Sequence, residues 1–536
     1  CEDTVLDKSP RQSISETDVW SDLELVQKYV WASYDGLTDF GIHYVNSYVV
    51  PQTEGASDQV YGLHGSRFAE YVQGEISPDQ AGYFGQRWAA EYRNIRNVNI
   101  FFQNIDNVEG DESIKDRLKG EMKFLRAWSY HKLTSLFGGV PLITKPFELT
   151  DDFSVARSSF EDCVDYIISE LEEAHNLVPE NVPPPEWGRI TKGAVLALKS
   201  EVLLYAASIL HDPGTQPSGP LFDYTKITKW QDASDAAKAV IDMPQYALVE
   251  VGTWQEYQQM FLSKTPEMIF VRPHHPQHSN DLRNMDMLNS PNGYDGWSAI
   301  NPTQQFVDLF QMKDGLFIDE SPLYNSSPET IYENREMRFY ANILYNGAIY
   351  RGRAVEFFRP GGLDSEDGPG GWNASATDYT QRKFMDESVS FNEVYPTTPY
   401  IFFRLAEFYL NYAEAQYHLG NESVAREYVN IIRNRVDLPD INSSGVELLD
   451  DIRHERNIEL SFEDHRFWDI RRWKIAEVVL NQNALGMEWK KADNGQLSYK
   501  IINVQNRQFD PNRMYYIPIP RSEIEKTGLE QNPGYN

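Results

Sequence analysis

The stretch that decides the fold is residues 404–420, which reads Arg-Leu-Ala-Glu-Phe-Tyr-Leu-Asn-Tyr-Ala-Glu-Ala-Gln-Tyr-His-Leu-Gly. Apolar side chains recur in it at intervals of three and four residues, which predicts one buried face of an α-helix. Gly420 ends this pattern, and a second helical pattern follows at once over residues 423–436. Two helices joined by a short turn form the unit of tetratricopeptide-type repeats, whose period is about 34 residues. Periodicity alone leaves a generic helical bundle equally open.

The first half of the chain is also helical in pattern, and loop-rich stretches separate it from the second helical region. Apolar residues follow helical spacing over residues 114–136, and Gly138-Gly139 predict the end of that helix. Residues 40–90 and 270–400 are instead rich in Gly, Pro, Asn, Asp and aromatic residues. We therefore expect a mostly α-helical protein with long loop-rich insertions that contain short strands. Further helical patterns run over residues 163–177, 194–210 and 230–241.

The composition narrows the classes of partner. The 536 residues include 49 Lys and Arg against 80 Asp and Glu, which gives a formal net charge of −31. Because a phosphate backbone needs a basic protein face, this acidity argues against a nucleic-acid partner. The 31 Tyr, 27 Phe and 12 Trp supply many flat apolar faces for a neutral ligand. No run of about 18 apolar residues occurs, so no transmembrane helix is expected.

The first residue is Cys1, followed by the acidic and polar residues Glu2-Asp3-Thr4. Removal of a bacterial lipoprotein signal peptide leaves a lipid-carrying cysteine at this position, whereas an arbitrary cut would seldom fall before a cysteine. Several acyl chains on one cysteine make a stable membrane anchor. We expect lipidation at Cys1, with residues 1–15 as a tether to the membrane.

Short motifs of known enzymes give no support for catalysis. The sequence has no P-loop, no Gly-x-Ser-x-Gly elbow and no His-Glu-x-x-His zinc motif. Ser129-x-x-Lys132 and the Lys-Thr-Gly run at 526–528 imitate a penicillin-binding enzyme, but Ser-x-x-Lys occurs by chance about once in such a chain. With 80 acidic residues, no carboxylate pair is informative about glycoside hydrolysis. We expect no catalytic residues and no cofactor.

A histidine cluster and a cluster of charged residues could each suggest a functional site, but both are better interpreted as structural. His274 and His278 would face one way on a helix, but Pro276 between them breaks it, so no metal site is expected. Residues 453–460 are dense in charge, and Arg456 and Glu459 share a helical face with apolar residues. Because unpaired charge beside apolar groups is costly, we interpret that cluster as an internal ion-pair network that clamps helices.

Six blocks, taken together, resemble the SusD/RagB family of nutrient-binding surface lipoproteins from Bacteroidetes-type bacteria. One block holds Phe-Leu-Arg-Ala at 124–127 and Leu-Phe-Gly-Gly-Val-Pro-Leu at 136–142, similar to a helix and turn of the family. The order and spacing of the blocks make the resemblance specific, and Cys1 agrees with the family's lipoprotein start. The blocks are residues 124–142, 301–315, 336–347, 404–415, 453–473 and 517–535.

The resemblance implies one non-enzymatic domain over residues 16–536. Its tetratricopeptide-like scaffold would lie at about 90–245 and 400–480, and its ligand loops at about 38–90 and 270–400. It also implies binding of an oligosaccharide or polysaccharide at the outer membrane, facing outwards, as a lid on a TonB-dependent SusC-type importer. A RagB-like peptide-binding lid remains an alternative, and a glycoside hydrolase a weaker one.

The resemblance places the ligand site in N-terminal loops and in the segment before the Asn-Pro-Thr block at 301–303. Tyr294 and Trp297 lie in that segment among glycines, where they are poorly explained as core residues. We expect Trp297 to be a stacking platform for a sugar ring. The complete set of expected glycan-binding residues is Trp297, Tyr294, Asp39, Asp58, Arg359 and Trp372.

Overall fold

The structure is a computed structural model that describes residues 16–37, 43–45, 48–50, 53–63, 68–148, 150–274, 285–388, 390 and 397–535. Helices predominate over these residues, and the strands are short and paired in twos, which confirms the predicted fold class. None of the described helices combines the length and apolar character needed to cross a bilayer. Cys1, the expected tether 1–15 and Asp39 lie outside the described residues.

The described helices and strands are as follows. The helices are α1 (Glu16–Val19), α2 (Leu23–Ser33), α3 (Ala69–Val72), α4 (Gly82–Asn104), α5 (Glu112–Phe137), α6 (Phe160–Leu177), α7 (Lys192–Ala207), α8 (Lys229–Ile241), α9 (Trp254–Gln259), α10 (Met285–Asn289), α11 (Gln304–Leu309), α12 (Met337–Asn342), α13 (Leu405–His418), α14 (Glu422–Arg435), α15 (Val446–Glu459), α16 (Arg466–Arg472), α17 (Ala476–Val479) and α18 (Arg521–Thr527). The strands are β1 (His43–Val45), β2 (Tyr48–Val50), β3 (Val60–Gly62), β4 (Met268–Arg272), β5 (Ile300–Pro302), β6 (Ile343–Leu344), β7 (Ile349–Tyr350), β8 (Arg353–Ala354), β9 (Thr380–Gln381), β10 (Tyr400–Arg404), β11 (Ala484–Lys491) and β12 (Leu497–Gln505).

The long helices form one continuous stack. Helices α4 to α8 pack each against the next in chain order, α8 then packs against α13, and α13 packs against α14 and α15. The loop-rich segment between α8 and α13 therefore leaves the stack and returns to it. Two helical regions that are distant in sequence complete one scaffold, as helix pairs of a repeat protein do when each buries its apolar face against a neighbour.

Helix α5 shows how the local sequence sets these elements. The Asp111 side chain accepts a hydrogen bond from the Ser113 amide at 2.8 Å and caps its first turn. The helix ends at Phe137, with Gly138 as its C-terminal cap, as the sequence predicts. Its apolar residues, with those of α4, α6 and α7, form the largest buried cluster. A second cluster lies beneath the loop-rich segment and gives those loops a core of their own.

A buried ion-pair network joins the loop-rich segment to the helical stack, as predicted from the charge cluster. Glu459 at the end of α15 accepts hydrogen bonds from Arg338 of α12 at 3.1 Å and from Arg404 at 2.8 Å, and it also pairs with Arg435. Burial would raise the pKa of Glu459, but the surrounding guanidinium groups hold that pKa well below its ordinary value. Arg456 pairs separately with Asp469 at 2.8 Å. Because every partner is buried, removing one would leave an uncompensated charge in the interior.

Among the described residues the strands pair only in twos, and two of the pairs join strands that are far apart in the chain. All six pairings are antiparallel: β1 with β2, β3 with β5, β4 with β10, β6 with β9, β7 with β8, and β11 with β12. The β3–β5 pair is the one that positions the expected ligand segment, because residues 290–299 lead directly into β5.

Candidate functional site

Two loops from different parts of the loop-rich segment meet at the expected ligand site. The first loop covers residues 290–299 and the second covers residues 359–373. The Asn292 side-chain amide donates to the Ser365 carbonyl at 3.0 Å and to the Pro369 carbonyl at 2.9 Å. A side chain that satisfies two backbone acceptors of another loop fixes the two loops relative to each other.

The close approach of these loops explains the glycine next to Asn292. A Cβ atom on Gly293 would lie 2.4 Å from the Leu363 carbonyl oxygen, which no side chain tolerates. The first loop is further held by the Trp297 amide, which donates to the Met287 carbonyl at 3.0 Å. The composition of the segment therefore reflects packing of backbone against backbone.

The two loops bring Trp297 and Trp372 together. Their ring centroids are 6.4 Å apart and their planes are inclined by 56°. Trp297 is partly buried against the core beneath the loop-rich segment, whereas Trp372 is 73% exposed. The pair forms a bent aromatic surface with one ring anchored and the other largely open to solvent. Both residues belong to the set expected from the sequence.

Tyr294 supports the first loop. The Arg353 guanidinium lies 3.7 Å from the centroid of the Tyr294 ring, and the Tyr294 hydroxyl donates to the Tyr350 carbonyl at 2.9 Å. Asp364 in turn binds Arg353 through both carboxylate oxygens, at 2.7 and 2.9 Å. Burial raises the pKa of the Tyr294 phenol, which stays a neutral donor. This geometry places Tyr294 under Arg353 and gives it a packing role beside the tryptophan pair.

Arg359 anchors the second loop. Its guanidinium binds Asp378 at 2.9 Å and Glu366 at 3.1 Å, and its amide donates to the Trp489 carbonyl of β11 at 2.9 Å. Burial raises the pKa of Asp378 to about 6 despite the opposing effect of Arg359. The contacts of Arg359 hold the loop that carries Trp372 against the β11–β12 hairpin.

Asp58 lies in a bidentate ion pair with Arg466 of α16, with both nitrogen–oxygen distances at 2.8 Å. Burial would raise the pKa of Asp58, but Arg466 outweighs burial and lowers that pKa. The pair ties the segment before β3 to the C-terminal helices, so both carboxylate oxygens already have a partner within the chain.

One buried cluster among the described residues has the donor atoms of a metal site. Oxygen atoms of Glu201 and Glu407 and a ring nitrogen of His465 lie within 4.8 Å of one another. Arg456 Nη2 lies 3.4 Å from His465 Nδ1, and Lys132 Nζ lies 3.5 Å from Glu201. If His465 Nδ1 accepts from Arg456, the other ring nitrogen carries the hydrogen and cannot bind a metal. The two nearby cations also supply the charge that a metal would supply, so the cluster fits an internal charge network better than a metal centre.

Sequence reasoning missed the residues that hold the site together, namely Asn292, Arg353 and Asp364. The Pro291-Asn292-Gly293 run predicts a turn, but it does not indicate that the Asn292 side chain bonds to a loop more than 70 residues away. Nothing in the sequence indicates that Arg353 would lie across Tyr294, since that contact depends on how two separate loops fold together.

Comparisons with known proteins agree with this architecture. Residues 266–535 match the family model described as the SusD family, and residues 5–204 match a model described as starch-binding and associating with the outer membrane. SusD-like protein P38 of Formosa agariphila is 24% identical over 517 residues, which cover 90% of this chain and 90% of that protein.

Solved structures resemble the whole chain. A SusD-like protein from Bacteroides fragilis NCTC 9343 is 30% identical, and the alignment covers 98% of this chain and 100% of that one with a TM-score of 0.82. A SusD-like carbohydrate-binding protein from the same strain is 23% identical, with 95% and 98% of the chains covered and a TM-score of 0.78. The family resemblance found in the six sequence blocks is thus confirmed, and this chain belongs to the SusD family.

Proposed function

We propose that this protein binds a glycan at the cell surface without catalysing a reaction and passes it to a TonB-dependent SusC-type importer. The observation that carries the proposal is the Trp297–Trp372 pair, in which an anchored ring and a 73% exposed ring form one bent surface. A contiguous aromatic surface that two folded loops hold partly open to solvent is typical of a ligand-binding site.

The chemistry of a sugar ring matches this surface. A pyranose has an apolar C–H face, which stacks on an aromatic ring, and a rim of hydroxyl groups, which need hydrogen-bond partners. Asp295 on the first loop and Glu366 and Asp367 on the second loop are exposed acceptors for such hydroxyls. The net charge of −31 favours a neutral ligand over a polyanion.

The family supports the cellular setting. One matching family model is described as starch-binding and associating with the outer membrane, and one structural neighbour is described as a carbohydrate-binding protein. A lipid on Cys1 would hold the protein at that membrane.

The proposed importer is tested by co-purification from detergent-solubilised membranes, at low and at physiological salt. Recovery of the monomer alone under both conditions would count against a partner.

The glycan proposal is tested by calorimetry on the wild type and on Trp372→Ala. The ligands are oligosaccharides from starch and from other plant and algal polysaccharides. We expect at least one oligosaccharide to bind, and Trp372→Ala to weaken it about ten- to hundredfold, by analogy with stacking of a base on an aromatic ring. Phe153→Ala removes another exposed aromatic, 49% exposed, and should leave affinity unchanged. Binding of peptides instead of glycans would favour the RagB-like alternative, and release of shorter sugars would overturn a non-catalytic role.

A further inference from the structure

An aromatic cavity, separate from the Trp297–Trp372 surface, lies where the end of α2 meets strand β4. Its volume is about 430 Å³, within the range of about 300–1,000 Å³ that small-molecule sites occupy. It shares no lining residue with the Trp297–Trp372 pair. The aromatic residues that line it are Trp31, Tyr34, Trp187, Phe270 and Phe402.

The aromatic rings that line the cavity differ in their exposure to solvent. Phe270 is 2% exposed and stacks on Phe402 with a centroid distance of 5.0 Å and an angle of 25°. The Tyr34 hydroxyl accepts a hydrogen bond from the Ile190 amide at 3.1 Å, which fixes that ring from behind. Trp31 is 48% exposed and lies at the opening. The buried rings and the half-exposed Trp31 indole line one cavity and offer flat apolar faces to a ligand, with the Arg189 guanidinium 5.7 Å from the centroid of the Trp31 ring.

The part of the cavity wall that carries Trp187 has a conformationally restricted backbone. Trp187 follows a single 3-10 turn, Pro184–Glu186, whose prolines restrict the backbone. Gly188 then adopts a φ of 99° and lies directly against the end of β4, since a Cβ atom there would be 3.0 Å from the Val271 carbonyl oxygen and 2.5 Å from Pro273 Cδ. The Trp187 ring is therefore presented by a backbone with little freedom, which lowers the entropic cost of binding.

The charged groups that line the cavity cancel one another. Arg272 pairs with Asp35 at 3.1 Å, and Arg189 pairs with Glu186 at 3.2 Å. Arg189 also pairs with the buried Glu121 at 2.7 Å, and Arg117 pairs with Glu186 at 2.7 Å, so three cations and three anions leave no net charge for an ionic ligand to complement. A paired guanidinium or carboxylate still keeps further donor or acceptor positions for hydroxyl groups.

We propose that this cavity is a second glycan-binding site, which takes a neutral sugar unit between Trp31 and Trp187. The inference rests on the proposed glycan-binding function, because it assigns the same class of ligand to a separate cavity. Two sites on one rigid domain would also allow a long glycan to bind at both, and its apparent affinity would then exceed that of a short oligosaccharide.

The test uses the full chain labelled with 5-fluorotryptophan and observed by ¹⁹F NMR. Among the 12 tryptophans, single replacements at Trp31, Trp187, Trp297 and Trp372 assign the four relevant resonances. Maltose, maltoheptaose, laminarihexaose and xylohexaose are then titrated. We expect the Trp31 and Trp187 resonances to shift with at least one of these sugars, and to shift equally in Trp372→Ala.

The possible outcomes separate this inference from the function on which it rests. Shifts confined to Trp297 and Trp372 would overturn the second site and leave the proposed function standing. No shift at any of the four resonances would count against both. Shifts of Trp31 with a tryptophan-containing peptide but with none of the sugars would reassign the cavity to peptides. Because Trp187 is partly buried and its replacement could disturb folding, the affinity test uses Trp31→Ala. This variant should lose at least tenfold in affinity for the sugar at this site. Phe153→Ala, whose side chain is similarly exposed, is the control.

Discussion

Trp372 lies 6.4 Å from Trp297, ring centroid to ring centroid, although the two residues belong to separate loops. Asn292 creates this proximity, because its side chain bonds to two carbonyls of the loop that carries Trp372. The surface therefore depends on both loops being folded, and a change in either loop should alter ligand binding.

Replacing the two tryptophans singly and together should show that they act on one ligand. Each single change to alanine should cost about 1–3 kcal/mol of glycan binding, and the double change should cost less than the sum, because one sugar ring contacts both indoles. Calorimetry measures the affinities. Thermal unfolding should be unchanged in Trp372→Ala and lowered in Trp297→Ala, since only Trp297 packs against the core. Strict additivity of the two binding losses would argue for independent positions.

Asp364→Asn should destabilise the second loop. The buried Asp364 carboxylate binds Arg353 bidentately and also accepts the Glu356 amide at 2.8 Å. Loss of charge-assisted hydrogen bonds of this kind costs about 1.5–3 kcal/mol, which urea denaturation would detect. Asp367→Asn, at an exposed position of the same loop, should change stability by less than about 0.5 kcal/mol. Equal effects of the two variants would mean that the Arg353 pair contributes nothing specific.

Glu407→Gln should change the pH dependence of stability. Burial, together with the negative charge of Glu201, raises the pKa of Glu407 from 4.5 to about 8. The folded state thus holds a proton that the unfolded state releases, so this contribution to stability is complete below pH 4.5 and is lost as pH rises towards 8.

Urea denaturation of the wild type and of Glu407→Gln between pH 5 and 8.5 measures this effect. The wild-type free energy of unfolding should fall more steeply with pH than that of the variant, by up to about 1.4 kcal/mol per pH unit. The exposed Glu250→Gln serves as control and should keep the wild-type slope. Parallel slopes for Glu407→Gln and the wild type would show that Glu407 does not hold this proton.

Cys1→Ala should release the protein from the outer membrane in the native host. A single cysteine carrying several acyl chains would be the anchor, and none of the described helices could replace it. Fractionation of membranes, with labelled palmitate incorporated into the wild type, measures both the location and the lipid. A wild type that takes up no label would refute the anchor.

The sequence by itself determined the local elements of this protein. The end of α5 at Phe137 followed from the glycines after it, because a helix cap depends on neighbouring residues alone. The helical character of residues 405–418 followed from apolar spacing for the same reason. The existence of an ion-pair network around Glu459 was also predictable, since charges beside apolar residues must be paired. The identity of its partners Arg338 and Arg404 was not predictable.

Only the tertiary structure decided which of the expected ligand residues are open to a ligand. Trp372 remains exposed, while Tyr294 is covered by Arg353 and Asp58 is held by Arg466. The sequence could not distinguish these cases, because each depends on a partner that is distant in the chain or in another loop. Helix α8 likewise meets α13 only after the chain returns from the loop-rich segment. Periodicity reports which face of an element is apolar, whereas the partner that covers that face is set by how the whole chain packs.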